Sequence, residues 1–235
     1  MELVYTVVTA SCRKQQPEKQ QVDKQQIVTN LKKKTRRGWG SRSNRNKSFS
    51  VMGNNVNGLN SKWESFLSVL KHFKGPTCVM LQETKLNSKL QNKLIGYQVF
   101  QAERKREGGG ILTAVEGSLP ALVISEGKGE VEILVVEVTV NNLRIRLINA
   151  YGPQETESKN KIADFWSELE IEIVKSRNEG CLIIIEMDAN AKVGSGVISK
   201  DPNMMSSNGK LMLDVLNRLN LHCLNADPRC SGTIT

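Results

Sequence analysis

Four short apolar runs in this chain finish in the same way, in amides and carboxylates, and that repetition constrains the fold more than any other feature. Val51-Met52-Gly53 leads into Asn54-Asn55-Val56-Asn57-Gly58, and Val79-Met80-Leu81 into Gln82-Glu83-Thr84. Ile148-Asn149-Ala150 leads into Tyr151-Gly152-Pro153, and Ile183-Ile184-Ile185 into Glu186-Met187-Asp188-Ala189-Asn190. Brief apolar runs bounded by turn signals read as buried strands. One polar ending carries little weight, because Asn, Asp and Gly are ordinary turn residues. Four in one chain point to strands whose carboxyl ends gather a single site, since open α/β sheets collect ligands there.

Between these runs the period changes to that of a helix. Trp63, Phe66, Leu67 and Leu70 fall at i, i+3, i+4 and i+7, which places them on one helical face. Ile162, Phe165, Trp166, Leu169 and Ile173 mark a second helix, and Met212, Val215, Leu216 and Leu219 a third, preceded by Asn208-Gly209. Further strands are predicted at 97–100, 111–115, 122–125, 131–140, 143–150 and 221–224. Asn141-Asn142 supplies a hairpin turn. Leu143, Ile145 and Leu147 alternate with Arg144 and Arg146, the pattern of a strand with one wet face. Consecutive strands in the middle with helices between the outer ones predict two packed sheets flanked by helices.

Charge divides the chain. Of a formal +9, the first 48 residues contribute all: they hold 12 basic and 3 acidic residues, and the remainder is electroneutral. Residues 1–47 are therefore expected to be a basic arm, disordered because its Gln, Lys, Arg, Ser and Asn cannot bury enough apolar surface to offset ordering. Within it Lys32, Lys33, Lys34, Arg36 and Arg37 form a run suited to nucleic-acid phosphates or to a nuclear address, or simply to a solvated linker. Residues 48–235 form the folded domain. Cys12, Cys78, Cys181, Cys223 and Cys230 include no CxxC pair, which favours reduced core thiols. No run reaches the roughly 18 apolar residues of a membrane span, and the expectation is an intracellular, nuclear protein without membrane partners or a small organic cofactor.

The residues at the strand ends are hard oxygen donors and amides. That inventory suits Mg²⁺ or Mn²⁺ rather than zinc, with a phosphate completing the coordination. Hydrolysis of a phosphodiester needs a positioned water, a carboxylate to take its proton, and positive charge near the developing oxyanion.

Taken in order, NVNGL at 55–59, LQETK at 81–85, AYGP at 150–153 and MDAN at 187–190 resemble the endonuclease/exonuclease/phosphatase superfamily. Within it the resemblance is to the apurinic/apyrimidinic-endonuclease-like domains of non-LTR (LINE-type) retrotransposons. It spans residue 49 to the end, and LQET is its most specific motif. The resemblance implies a four-layered α-β-β-α sandwich, DNase I-like, and a metal-dependent DNA-nicking activity, normally fused to a reverse transcriptase. By it Glu83 is the metal ligand and Asn55 helps to build the metal and phosphate site. Asp188 orients or deprotonates the attacking water, Asn190 bonds the phosphate or fixes that carboxylate, and Tyr151 places its phenol near the scissile phosphate. Arg104, Lys105 and Arg106, before three glycines, would lie near the nucleic-acid face.

Two departures accompany it. Met187 stands where the superfamily usually has Gly before the Asp. The family also carries an Asp and a His on later strands, whereas this sequence ends at Ser231-Gly232-Thr233-Ile234-Thr235, so the expectation is a sandwich incomplete at its C-terminus with weak activity. His72 and His222 are expected to be structural. Two other functions share the same residues: a same-fold phosphatase or RNA exonuclease, and a non-catalytic nucleic-acid-binding remnant.

Overall fold

The computed structural model describes residues 7–10, 49–86, 94–102, 109–193 and 204–224. The strands are β1 (Val7–Ala10), β2 (Val51–Asn55), β3 (Cys78–Gln82), β4 (Tyr97–Ala102), β5 (Ile111–Glu116), β6 (Ala121–Glu126), β7 (Glu132–Val140), β8 (Leu143–Tyr151), β9 (Leu182–Asp188) and β10 (His222–Cys223). The helices are α1 (Trp63–His72), α2 (Lys159–Asn178) and α3 (Ser207–Arg218). Six strands form one sheet in the order β10-β1-β9-β8-β7-β6, and four form the other in the order β2-β3-β5-β4. Both sheets are mixed. β8 and β9 run parallel, as do β2 and β3, and each parallel pair is joined through a helix (α2 and α1 respectively).

Alternation along the strands sorts three apolar layers. Cys78 and Met80 of β3 meet Leu134, Val136, Ile145 and Leu147 between the sheets. Their neighbours Val79 and Leu81 point the other way, onto Phe66 and Leu70 of α1. Ile148, Ile183 and Ile185 pack outward against Phe165, Trp166 and Leu169 of α2 and Met212 and Val215 of α3. The result is helix, sheet, sheet, helix, the four-layered sandwich expected. The helical stripes read from the sequence are the buried faces. Asn141 and Asn142 take φ of 49° and 66°, the two left-handed residues that a tight type I′ hairpin requires.

Three local expectations need correction. Val7–Ala10, assigned to the disordered arm, is a strand lying antiparallel to both β9 and β10; the rest of that arm lies outside the described residues. Asn208 and Gly209 do not precede the third helix but form its first turn, after the Ser206 N-cap. Arg146 is not on a wet face: it is 1% exposed. Arg146 Nε donates to Glu137 Oε2 at 2.8 Å and Nη2 to Glu179 Oε2, while Arg144 also pairs with Glu137. Alternating polarity identifies a strand face, but a helix end carrying Glu179 covers this one and substitutes for water. Cys78 and Cys181 are buried free thiols, and burial, aided by Glu116, pushes the Cys78 thiol up to about 12.

Candidate active site

All four decorated strand ends converge. The parallel register of β8 and β9 sets Tyr151 beside Asp188, and that of β2 and β3 sets Asn55 beside Gln82, immediately before Glu83. Packing of the two sheets then closes the gap. Asn55 Nδ2 donates to Glu83 Oε1 at 2.8 Å and to Asp188 Oδ2 at 2.6 Å, so one amide joins carboxylates that are 105 residues apart in sequence. Tyr151 Oη donates to the same Glu83 oxygen at 2.8 Å. Asn190 N donates to Asp188 Oδ1 at 3.0 Å, and Asn190 Nδ2 to the Gly152 carbonyl at 2.8 Å, tying the β9 exit to the β8 exit.

The backbone at these ends is bent into conformations that side chains usually avoid. Glu83, Lys85, Asn57 and Asn190 have φ of 48°, 52°, 44° and 46°. A left-handed non-glycine residue costs on the order of 1 kcal/mol, and hydrogen bonds from both sides offset it at Glu83. Gly58 N and Leu59 N donate to the carbonyls of Glu83 and Thr84, while Thr84 N and Lys85 N donate to those of Gly110 and Gly109. Gly109 leaves room for the Glu132 carboxylate: a Cβ there would fall 1.9 Å from Glu132 Oε1 and the carboxylate would have to move. Gly109 and Gly110 thus brace the Glu83 turn through their carbonyls.

Electrostatics define what each group can do. Burial, with the hydrogen bond to the Glu83 carboxylate, raises the Tyr151 phenol to about 12, so it remains a proton-bearing donor at neutral pH. Asn55 turns its nitrogen to the carboxylates and its oxygen to Asn57 N–H at 3.0 Å, which makes it a bridge between them. Lys85 Nζ stands 3.6 Å from Glu83 Oε2 and donates to Asn57 Oδ1. Among the described residues no guanidinium pairs with either Glu83 or Asp188. Hard oxygens at strand ends, with an ammonium already accommodated at their edge, fit a divalent cation.

A second acidic group, Glu137, Glu179 and Cys181, also has its ligand atoms within 4.8 Å of one another. It does not fit a metal, because Arg144 and Arg146 already occupy the carboxylates and would repel a cation.

The structure thus brings together Asn55, Glu83, Tyr151, Asp188 and Asn190. Lys32, Lys33, Lys34, Arg36, Arg37, Arg104, Lys105 and Arg106 lie outside the described residues, as do residues 194–203. His72 ends α1 edge-on to Phe73, and His222 pairs across strands with Thr9; neither belongs to the cluster. Sequence reasoning passed over Asn149, which is fully buried between the sheets. Its oxygen accepts from Gln82 Nε2 at 2.8 Å, and its nitrogen donates to the Leu112 carbonyl at 2.9 Å and to that of Leu81 at 3.3 Å. The signal was available: an amide inside an apolar strand, away from any turn, needs a partner.

The fold is the four-layered, DNase I-like sandwich of several solved endonucleases. The endonuclease domain of TRAS1, a telomere-specific non-LTR retrotransposon, is 20% identical with a TM-score of 0.58, over 77% of this chain and 74% of that one. The AP endonuclease LMAP from Leishmania major is 19% identical (TM-score 0.55, 73% and 67% covered), and an AP endonuclease from Archaeoglobus fulgidus 18% identical (0.56, 73% and 71%). No protein-family model matches the sequence, and no curated protein is significantly similar to it.

Proposed function

We propose that this chain is a phosphodiester hydrolase that uses Mg²⁺ or Mn²⁺ to nick DNA, in the manner of a LINE-type retrotransposon endonuclease. The observation that carries the reading is the meeting of Glu83 and Asp188 on a single Asn55 amide, beside the Tyr151 phenol, with no arginine among the described residues to neutralise them. Solved proteins of this fold include a retrotransposon endonuclease domain and AP endonucleases, which supports phosphodiester chemistry over other uses of the site.

In this reading Glu83 holds the cation, and Asn55 keeps Glu83 and Asp188 aimed at a common point. When bound, the cation would offset negative charge developing on the phosphate oxygens. Asp188 orients the attacking water and takes its proton; Asn190 N–H on Oδ1 and Asn55 Nδ2 on Oδ2 hold the carboxylate, so the lone pairs that remain for the water have fixed directions. Tyr151, whose single proton goes to Glu83 Oε1 here, would turn it toward the scissile phosphate once substrate is bound. The basic run Lys32–Arg37 would add salt-sensitive affinity for DNA and serve as a nuclear address, and fusion to a reverse transcriptase completes the proposal.

The test is conversion of supercoiled plasmid to open circles with Mg²⁺, for the wild type and Asp188→Ala. Nicking by the wild type and its loss in a variant with an unchanged melting curve is the expected result. Nicking that survives Asp188→Ala, or a wild type that cuts RNA or a phosphoinositide but not DNA, overturns it.

A further inference from the structure

The loops that leave β8 and β9 carry the reactive groups, yet neither loop is held by its own strand alone. Both are tied to one side chain from a third element. Asn208, in the first turn of α3, is 0% exposed. Its Nδ2 donates to the carbonyls of Pro153 (3.1 Å), Ala189 (2.8 Å) and Asn190 (3.1 Å). Its Oδ1 accepts from Trp166 Nε1 on α2 at 2.5 Å, which sets the orientation of the amide. A buried Asn used on both its oxygen and its nitrogen, across three chain segments, is far more specific than turn formation requires.

The surroundings are built to press α3 onto those loops. Gly209 lets the helix touch the strand exit: a Cβ there would lie 1.9 Å from the Lys192 carbonyl oxygen. Ser206 caps the helix by accepting from Gly209 N, and Ser206 N donates to the Lys192 carbonyl at 2.9 Å. The Glu155 carboxylate accepts from the amides of Ser207 and Asn208. Burial pushes that carboxyl up, but these hydrogen bonds with that of Ser206 outweigh it and hold it below its ordinary value. Gly152, between Tyr151 and Pro153, is pressed against the Ala189 carbonyl, 2.6 Å from where a Cβ would stand.

We infer that Asn208 is a positioning residue for the candidate site: by bonding three carbonyls of the 153 and 189–190 turns it holds Asp188, Asn190 and Tyr151 in one arrangement. The inference rests on the nuclease reading for its kinetic consequence but not for its structural one. Without Asn208 the three carbonyls lose their shared donor. Asn190 is then free to leave its left-handed conformation, taking its N–H away from Asp188. A carboxylate released in this way still binds substrate poorly aligned, so the loss falls on the chemical step.

The experiment compares Asn208→Ala, Asn208→Asp and Trp166→Phe with the wild type and with Ile173→Val, a core change on α2 remote from the site. Plasmid nicking gives kcat and KM, and hydrogen exchange of the Gly152 and Asn190 amides reports the loops directly. Asn208→Ala should lower kcat by roughly ten- to a hundredfold with KM within about twofold, the range for groups that orient catalytic ligands. Asn208→Asp keeps the acceptor for Trp166 but loses the donors, and should be as impaired. Trp166→Phe should lower kcat by less, and adding it to Asn208→Ala should cost little more, because the two act through one bond. Both amides should exchange at least about tenfold faster in Asn208→Ala, with Met80 unchanged. Should Asn208→Ala fail to fold, the kcat and exchange of Trp166→Phe decide. A kcat loss no greater than in Ile173→Val, or unchanged exchange at Gly152 and Asn190, overturns the inference. A wild type without nicking activity sinks the nuclease reading alone, and the exchange data then still decide whether Asn208 positions the loops.

Discussion

The strands β8 and β9 carry acidic clusters at both ends, and the two clusters are built on opposite principles. At the end where β8 begins, Glu137 and Glu179 face Arg144 and Arg146, which reach them through several hydrogen bonds, with Cys181 alongside. At the end where β8 finishes, Glu83 and Asp188 face an amide, a phenol and backbone N–H groups. One cluster holds two guanidiniums in direct hydrogen bonds, and the other has, among the described residues, a single half-exposed ammonium, that of Lys85, 3.6 Å from the edge of Glu83. Buried carboxylates are costly unless paired. The first end is self-neutralised, and the second has fewer cations than carboxylates among the described residues, as the proposed metal site requires.

Exchanging the roles of the two ends should produce the largest effects. Glu83→Gln should lower Mg²⁺-dependent nicking by at least about a thousandfold, equivalent to roughly 4 kcal/mol. Its melting temperature should stay level or rise, as one of two adjacent carboxylates is gone, whereas Mg²⁺ should no longer raise it. A lowered melting temperature would place Glu83 with the structural group. At the other end Arg146→Ala leaves Glu137 without its buried partner and should cost about 3–5 kcal/mol in chemical denaturation, with kcat of the folded fraction unchanged. A smaller cost would mean that water enters to replace the guanidinium.

Intermediate effects come from Tyr151. Tyr151→Phe should reduce kcat by about ten- to a hundredfold. Because burial and Glu83 raise the folded phenol to about 12, the stability it contributes is complete below its ordinary value and is lost as pH climbs from there toward about 12. Alkaline melts of the wild type should show that decline, and those of Tyr151→Phe a shallower one, because the buried Cys78 thiol, also raised to about 12, still contributes. The smallest effect is expected at Arg144. Its side chain is 45% exposed beside Arg146 at 2%, so Arg144→Ala should lower stability in chemical denaturation far less than Arg146→Ala. Equal losses at the two arginines would erase the distinction between a solvated pair and a buried one.

The same comparison shows how much could be read in advance. Glu83 and Asp188 were legible because each ends an apolar run, where a bare carboxylate has few structural uses. The helix faces of α1, α2 and α3 and the Asn141-Asn142 turn were legible because period and turn chemistry are local. Arg146 was misread because its neighbours on the chain are those of a wet strand, and only Glu179, 33 residues on, makes it an interior residue. Asn208-Gly209 was placed ahead of the third helix, not in its first turn, for the same reason. Its partners, Trp166 and the carbonyls of 153, 189 and 190, are assembled by packing α3 onto two strand exits.

By itself the sequence determined where strands and helices lie, which faces are apolar, and which strand ends carry the reactive groups, since these follow from spacing and side-chain chemistry along one stretch of chain. Only the tertiary structure decided that Val7–Ala10 joins the larger sheet, that Asn55 bridges two distant carboxylates, and which charges find partners. Those outcomes depend on contacts between segments far apart in the chain, and a carboxylate's chemistry is set by whether such a contact supplies it with a cation.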